Sequence, residues 1–511
     1  MLAKAYSAAV YGIDAYVLEI EVCVSRGSLP ITVIVGLPDQ AVKESRDRVR
    51  SALSNSGYRF PFDHVTINLA PASRKKEGPA FELPIAIGVL VASKQIEAPE
   101  LKKYLIVGEL ALDGRVRAVN GSLSMAMQAK EEGYGGIILP SVNAQEAAVI
   151  EGLEVIPVAS LTDTVGFLSG QLDIKPLKLS LEEIFEKSCS YDVDFIDVRG
   201  QEHAKRAVLV AAAGSHNVLM IGPPGGGKTM LAQRLPTILP KLLQQESIET
   251  TRVYSICGLI DHGHSLVATR PFRTPHHTIS EAGMVGGGTF PRPGELSLSN
   301  HGVLFLDELP EFDRNTLEAL RQPLEAGKIT ISRAANTVTY PANVMLVGAM
   351  NPCPCGNYGH TKKECRCTPH QIQKYVSKVS GPLLDRIDIQ VEVPALESKD
   401  LKGGNTGETS ETLRNRVKRA REIQHNRLEG TGFTTNAQMS NKLMKEHCVL
   451  EGEAETLLHQ AMVELGLSAR GYNKILKIGR TIADLEGAEK MCVAHISEAI
   501  QYRSLDRGLW R

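Results

Sequence analysis

The 511-residue chain has no surplus of either charge: 57 lysines and arginines stand against 58 aspartates and glutamates, for a formal net charge of −1. Such a balance provides no global basic field, so any contact with nucleic acid has to come from a local patch. Long hydrophobic runs are missing too. The longest, LPIAIGVLVA (83–92), is about half the ~20 apolar residues a membrane-spanning helix needs. The opening MLAKAYSAAVYGIDAYVLEIEV breaks its apolar residues with Asp14, Glu19 and Glu21, a pattern of neither a secretory signal nor a transit peptide. A cytoplasmic protein with no membrane partner is expected. Cysteine is scarce outside one place, with Cys23, Cys189, Cys257, Cys448 and Cys492 scattered singly, as incidental thiols are in a reducing compartment. No internal repeat or long low-complexity tract stands out.

What is present is an ordinary globular composition, 43% hydrophobic and 23% charged, in a chain too long for one core. Residues 1–170 mix short β-branched runs such as ITVIVGL and HVTINLA with amphipathic stretches, the pattern of a separate α+β or α/β domain. Residues 171–195 read as a linker with one short helix. A second α/β unit spans 196–395, with strands expected at NVLMIG, GVLFLDE, NVMLVGAMN and DIQVEVP. The Gly/Ser/Thr-rich SKDLKGGNTGETSET marks a junction, and the remainder of 396–511 has helical periodicity with almost no strand signal.

Directly after the apolar NVLMI comes GPPGGGKT (222–229), then the helix-compatible MLAQRL. In this G-x-x-x-x-G-K-[ST] pattern, the backbone of Gly222, Pro223, Pro224, Gly225, Gly226 and Gly227 wraps phosphates. Lys228 neutralises the β/γ oxygens of ATP and Thr229 ligates Mg²⁺. About eighty residues on, GVLFLDEL ends a strand in Asp307, a second candidate for the Mg²⁺ shell, and Glu308, a candidate base for the attacking water. NVMLVGAMN ends in Asn351, a polar residue placed to sense the γ-phosphate or simply to open a turn. Arg386, in GPLLDRIDIQVEVP, is a candidate arginine finger or the ion-pair partner of Asp385 or Asp388. ATP hydrolysis is the expected chemistry.

Taken together, VRGQEHAKRAV, GPPGGGKT, VLFLDE, GAMNPCPCG and PLLDRIDI resemble an AAA+ ATPase of the magnesium-chelatase branch, and the full-length layout resembles the ComM/YifB group. The resemblance implies a P-loop AAA+ core with a C-terminal all-α lid, in a homohexamer with ATP between subunits. It implies sensor 1 at Asn351 and a trans-acting finger at Arg386. Arg470, in LSARGYNKILKIGRTIADLEG, would be a sensor 2 reaching the same nucleotide's phosphates, and Arg199, Gly200 and Gln201 would lie near the adenine. It also implies a DNA substrate, through branch migration in recombination and natural transformation, with recombination proteins as partners. A chelatase-type motor that drives metal insertion by another protein, or a scaffold that uses ATP only to assemble, would carry the same P-loop machinery.

Residues 76–82, KEGPAFE, and the later VGELALDGRVRAVNGSLSMAMQA resemble the two catalytic segments of Lon-type proteases, a ribosomal-S5-like fold. Where those have a serine and a lysine, this chain has Ala80 and Leu123, the latter flanked by Ser122 and Ser124, so proteolysis is not expected. EAGKITISRAANTVTYPANVM resembles a pore hairpin, with Lys328 and Arg333 as candidate DNA contacts. RPFRTPHHTISEAGMVGGGTFPRPGE resembles the insertion that accompanies it, and metal ligation by His276 and His277 is set aside for want of further ligands. The basic TLRNRVKRAREIQHNRLEG is either a solvated helix or a DNA-binding one.

One stretch remains. NPCPCGNYGHTKKECRCTP (351–369) holds Cys353, Cys355, Cys365 and Cys367 in two Cys-x-Cys pairs nine residues apart. Four thiolates can close a tetrahedral Zn²⁺ site, with His360 or His370 as possible substitutes, and four reduced thiols without metal are the alternative. Lys362, Lys363 and Arg366 between the pairs are further candidate DNA contacts.

Overall fold

In LAKAYSAAVY small apolar residues alternate with larger ones, the period of a strand. The computed structural model describes residues 1–26, 31–73, 76, 78–180, 185, 191–260, 265–288, 291–332, 337–359, 363–395 and 407–505. In it this stretch is β1 (Leu2–Tyr11), paired antiparallel with β2 (Asp14–Ser25). β1 sends Ala3, Ala5 and Ala9 into one core and Ala8 into another; β2 divides Leu18, Ile20 and Val22 from Ala15 and Val17 in the same way. Such alternation with both faces apolar requires a cover on each side of the sheet.

By its contacts the chain divides into two units, one made of Met1–Ser188, Gln244–Ala268 and Ser332–Tyr340, the other of Cys189–Leu243, Thr269–Ile331 and Pro341–Arg511. The first adds β3 (Thr32–Val35), β4 (His64–Ala70), β5 (Tyr104–Ile106), the short pair β6 (Glu109–Leu110) and β7 (Val116–Arg117), β8 (Gly136–Pro140) and β9 (Glu154–Val158). Its main sheet runs β3-β4-β2-β1-β5-β8-β9 and is mixed. Helices Gln40–Asn55, Glu82–Ala92 and Leu161–Leu168 fill one face and Ser122–Glu131 the other. Helix Glu82–Ala92 holds the longest apolar run and is buried almost all round, and among the described residues no helix is long and apolar enough to cross a membrane.

Two segments that chain order puts inside 196–395 cluster with this first unit. Arg252, on helix Gln244–Cys257, donates to the carbonyl of Ile13 at 2.9 Å and to Ser124 Oγ at 3.2 Å, and pairs with Asp14. The hydroxyl of Tyr11 donates to the carbonyl of Thr337, and Val338 packs on Gly12 so tightly that a Cβ there would come within 2.3 Å of Val338 Cγ1. Periodicity shows that these are a helix and a strand; it carries no information about which core an insertion joins.

The second unit contains β10 (Val218–Ile221), β11 (Phe272–Arg273), the small β12 (Gly286–Gly287) and β13 (Arg292–Pro293), β14 (Val303–Leu306), β15 (Lys328–Ser332), β16 (Thr337–Pro341), β17 (Met345–Met350) and β18 (Ile389–Glu392), of which β16 belongs largely to the first unit. Its main sheet is wholly parallel, in the order β11-β14-β17-β10-β18, so the first of these strands in sequence lies between the last two. The four residues of β10 and of β14 are buried and apolar, as a parallel strand covered on both faces must be. The helical C-terminal region forms helices Ser410–Leu428, Asn441–His447, Gly452–Leu465, Ala469–Glu486 and Val493–Gln501, which share one hydrophobic core with a face of this sheet.

The basic helix Ser410–Leu428 is neither simply solvated nor free for DNA along its length. Arg414 Nε donates to the carbonyl of Thr237, and Arg421 and Gln424 donate to those of Ala212 and Ala213. These carbonyls belong to the last turns of helices Lys228–Ile238 and Glu202–Gly214, where the helix leaves acceptors unpaired and the dipole favours a cation. Arg427 pairs with Asp484, which is 3% exposed, and Arg480, 1% exposed, donates to the same carboxylate at 3.1 Å. Removing one partner leaves buried charge uncompensated, so Asp484→Ala is expected to destabilise the unit by about 3–5 kcal/mol. Urea unfolding followed by circular dichroism checks this.

Candidate nucleotide-binding site

β10 delivers the chain to the phosphate-binding loop at its C-terminal end, and Gly227, with φ of 88°, turns the loop into helix Lys228–Ile238. A side chain at that φ would be strained. The arrangement aims the free N–H groups of the helix N-terminus at the loop's hollow, where an anion is favoured. Lys228 is 8% exposed; its ammonium donates to the carbonyls of Gly222 at 2.7 Å and Pro223 at 2.9 Å, and to Asn351 Oδ1 at 3.2 Å. Burial pushes the Lys228 ammonium below the usual lysine range, opposed by the nearby carboxylates of Asp307 and Glu308. The four residues come from three different strand ends, β10, β14 and β17.

Thr229 Oγ1 donates to Asp307 Oδ2 at 2.8 Å. Two neighbouring oxygen ligands of an octahedral Mg²⁺, each at about 2.1 Å, lie roughly 3 Å apart, so this pair fits the ion. Glu308 follows with φ of 52°, its own N–H donating to Asp307 Oδ1 at 3.0 Å. A non-glycine residue in that region is uncommon and is found where the fold over-determines the backbone. Its carboxylate is 60% exposed and points to the solvent side of the site, where His277 Nδ1 lies 4.0 Å from Oε2. His277 in turn meets the ring of Phe312 edge-on. The pair His276–His277, weighed in the sequence only as metal ligands, thus contributes a neighbour to the candidate base, and nothing in the spacing signalled it.

Gln201 sits at φ of 60° and donates to the carbonyls of Gly226 at 3.1 Å and Pro394 at 2.6 Å, so it ties the loop to the exit of β18. Arg199 is exposed two residues earlier. The two remaining arginines lie elsewhere. β18 runs parallel to β10 with Val218 opposite Ile389 and Ile221 opposite Glu392. Arg386 precedes β18, so at least about 10 Å of strand separates it from the end where the loop begins. It pairs with Glu325 at 2.6 Å and is 10% exposed. Arg470, expected on the same nucleotide's phosphates, instead pairs with Asp385 at 3.4 Å, beside Arg386. Lys474 of helix Ala469–Glu486 donates to the carbonyl of Ile387 at 2.7 Å, so the start of that helix packs beside the N-terminal end of β18.

Residues 351–359 and 363–369 bring the four cysteines together, every Sγ within 4.8 Å of the others, with Cys353 and Cys355 at 3.4 Å, Cys353 and Cys365 at 3.7 Å, and Cys355 and Cys365 at 3.6 Å. Backbone N–H groups of Asn357 and Arg366, with the Cys353 thiol, hold the Cys355 thiol down to about 6. Lys328, Lys363 and Arg366 are exposed, while Arg333, Lys362 and His360 lie outside the described residues. In the first unit Leu123 is fully buried in the core that Ala80 borders; Ser122 donates to Glu146 at 2.7 Å and Ser124 to the carbonyl of Ile13 at 2.6 Å.

Residues 194–401 match the family described as magnesium chelatase, subunit ChlI, residues 20–143 that of subunit ChlI of Mg-chelatase, and residues 407–503 that of its C-terminal region. The competence protein ComM of Haemophilus influenzae is 45% identical over 513 residues, covering 99% of this chain and 98% of its own. YifB of Escherichia coli is 43% identical over 509 residues, again covering 99% and 98%. The magnesium-chelatase 38 kDa subunit of Rhodobacter capsulatus is 23% identical over 322 residues, or 59% of this chain and 84% of that one. With His277 as a neighbour of the base, His277→Ala is expected to lower ATP turnover by about tenfold or more while nucleotide affinity is kept, as steady-state hydrolysis and fluorescent-ADP titration would measure.

Proposed function

We propose, from the premise that the chain belongs to the ComM/YifB family of magnesium-chelatase-related proteins, that it is an ATP-hydrolysing ring motor acting on DNA. The observation that carries the ATPase half is the convergence of Lys228, Thr229, Asp307, Glu308 and Asn351 from three adjacent parallel strands. Lys228 exchanges its loop carbonyls for the β- and γ-phosphate oxygens, keeping Asn351 beside it. Thr229 and Asp307 would hold Mg²⁺, which would supply positive charge against that of the phosphates. Glu308 takes a proton from water as the water oxygen bonds to the γ-phosphorus and the bond to the β–γ bridging oxygen breaks, leaving ADP and inorganic phosphate.

The ring half rests on where the arginines are. One chain presents a phosphate loop at one end of β10 and the guanidinium groups of Arg386 and Arg470 at the opposite end of β18. Head-to-tail association of identical chains brings those two ends together and closes a ring when the rotation permits; a hexamer is the closure we adopt. In it both arginines act on the neighbour's nucleotide, a role that their place at the far end of β18 supports. The first unit, a Lon-like fold without the proteolytic pair, serves assembly or binding.

The DNA half has the family for support, since ComM is named a competence protein, together with the exposed Lys328, Lys363 and Arg366. Contacts of that kind are to phosphates, independent of sequence and sensitive to salt, as a motor that moves along DNA requires. Branch migration of recombination intermediates is the activity this combination suits, and the four thiols are assigned to a structural Zn²⁺.

ATP turnover is expected to rise when duplex, single-stranded or four-way-junction DNA is added, most with the junction, and to vanish in Glu308→Gln, which still binds nucleotide. No stimulation by any of the three would remove DNA as the substrate. Arg386→Ala is expected to lose about 10³-fold in turnover, and mixing it with Lys228→Ala chains to restore part of the rate. Without restoration the arginine does not act between subunits.

A further inference from the structure

The turn between the two cysteine pairs rests on the phosphate loop. Gly356 is buried with φ of 76°, and a Cβ built on it would lie 2.5 Å from Cδ of Pro224 and 2.9 Å from Cγ. Only a glycine lets the backbone of this turn come so close to the Pro224 ring. At one end the segment starts from Asn351, which accepts from Lys228; at the other it passes from Cys367 to Thr368, whose hydroxyl caps helix Pro369–Val376. Tyr375 and Val376 of that helix pack in the same core as Met350, the last residue of β17.

Among the described residues, little besides the sulfurs holds this segment in place. Of its described residues between Asn351 and Thr368, only Pro352, Cys353 and Gly356 are buried. A loop with so little apolar area does not repay the entropy of ordering it. The thiols are free of disulfides, and the separations of 3.4 to 3.7 Å match the roughly 3.8 Å edge of a tetrahedron of sulfurs about 2.3 Å from Zn²⁺. Cys353 is fully buried and its Sγ accepts the N–H of Tyr358 at 3.3 Å, a contact of the type that orients a thiolate ligand. Four sulfur donors select a soft or borderline ion over Mg²⁺ or Ca²⁺.

We infer that the Zn²⁺ site formed by Cys353, Cys355, Cys365 and Cys367 is a brace of the nucleotide pocket, whose metal presses the Gly356 turn onto Pro224 and thereby sets the shape of the phosphate loop. The inference rests on the nucleotide and zinc assignments made above and adds a dependence of one on the other. Losing the metal separates the two cysteine pairs, lifts the turn from Pro224 and frees Asn351 from its position beside Lys228. The ATP site therefore weakens while the parallel sheet, which has its own cores, stays folded.

The full-length protein, purified without chelators, is analysed for metal and titrated with fluorescent ADP before zinc release by an organomercurial, after release, and after excess thiol and Zn²⁺ are supplied. The expected result is one zinc per chain, about tenfold weaker ADP binding on release, recovery on reconstitution, and an unchanged far-ultraviolet circular dichroism spectrum. Gly356→Ala, which keeps all four thiols, is expected to retain zinc and still weaken ADP binding. Much less than one zinc per chain would overturn the metal site. Zinc release, or Gly356→Ala, with ADP affinity unchanged would overturn the brace and leave the metal site standing. Zinc-loaded protein that binds no ADP would overturn the nucleotide assignment itself.

Discussion

The parallel pairing of β17 with β14 and β10, and of β10 with β18, sets the positions of Lys228, Asp307, Glu308, Asn351 and Arg386 relative to one another. Because the strands run in one direction, the loops that follow them open on one edge of the sheet and the loops that precede them on the other. Lys228, Asp307, Glu308 and Asn351 follow strands and converge. Arg386 precedes one and is held apart from them by the strand's length. The register carries this separation: Ile221 opposite Glu392 and Val218 opposite Ile389 leave no slip by which Arg386 could approach the phosphate loop of its own chain.

Within that frame, charge is placed against backbone dipoles as much as against opposite charge. Lys228 is held by two loop carbonyls and an amide oxygen. Arg414 and Arg421 answer the carbonyls at the ends of two core helices, so a helix that is strongly basic in sequence spends much of its charge inside the fold. Burying such groups without partners would cost several kcal/mol each, and the hydrogen bonds are what make their positions tolerable. The lid and the sheet are thereby joined by polar contacts in addition to their common hydrophobic core.

In the first unit, Ala80 and Leu123 belong to one apolar cluster, and the neighbouring hydroxyls of Ser122 and Ser124 are engaged by Glu146 and by the carbonyl of Ile13. Helix Gln244–Cys257 lies over the same region, with Arg252 reaching Ser124. An element inserted from far along the chain thus covers this part of the first unit.

The local chemistry was legible in the sequence because each piece of it is contiguous: a glycine-rich loop after an apolar strand, two acids after another, an asparagine after a third, and four cysteines within fifteen residues. Strand and helix periods also sufficed for an α/β second unit with a helical end. What the tertiary structure alone decided is everything that depends on which strand lies beside which. It paired Arg470 with Asp385, put His277 next to Glu308, seated the Gly356 turn on Pro224, and assigned Gln244–Ala268 and Ser332–Tyr340 to the first unit. The physical reason is that hydrophobic period and motif spacing report on neighbours a few residues apart, whereas these contacts follow from sheet order and core packing between residues tens to hundreds of positions distant.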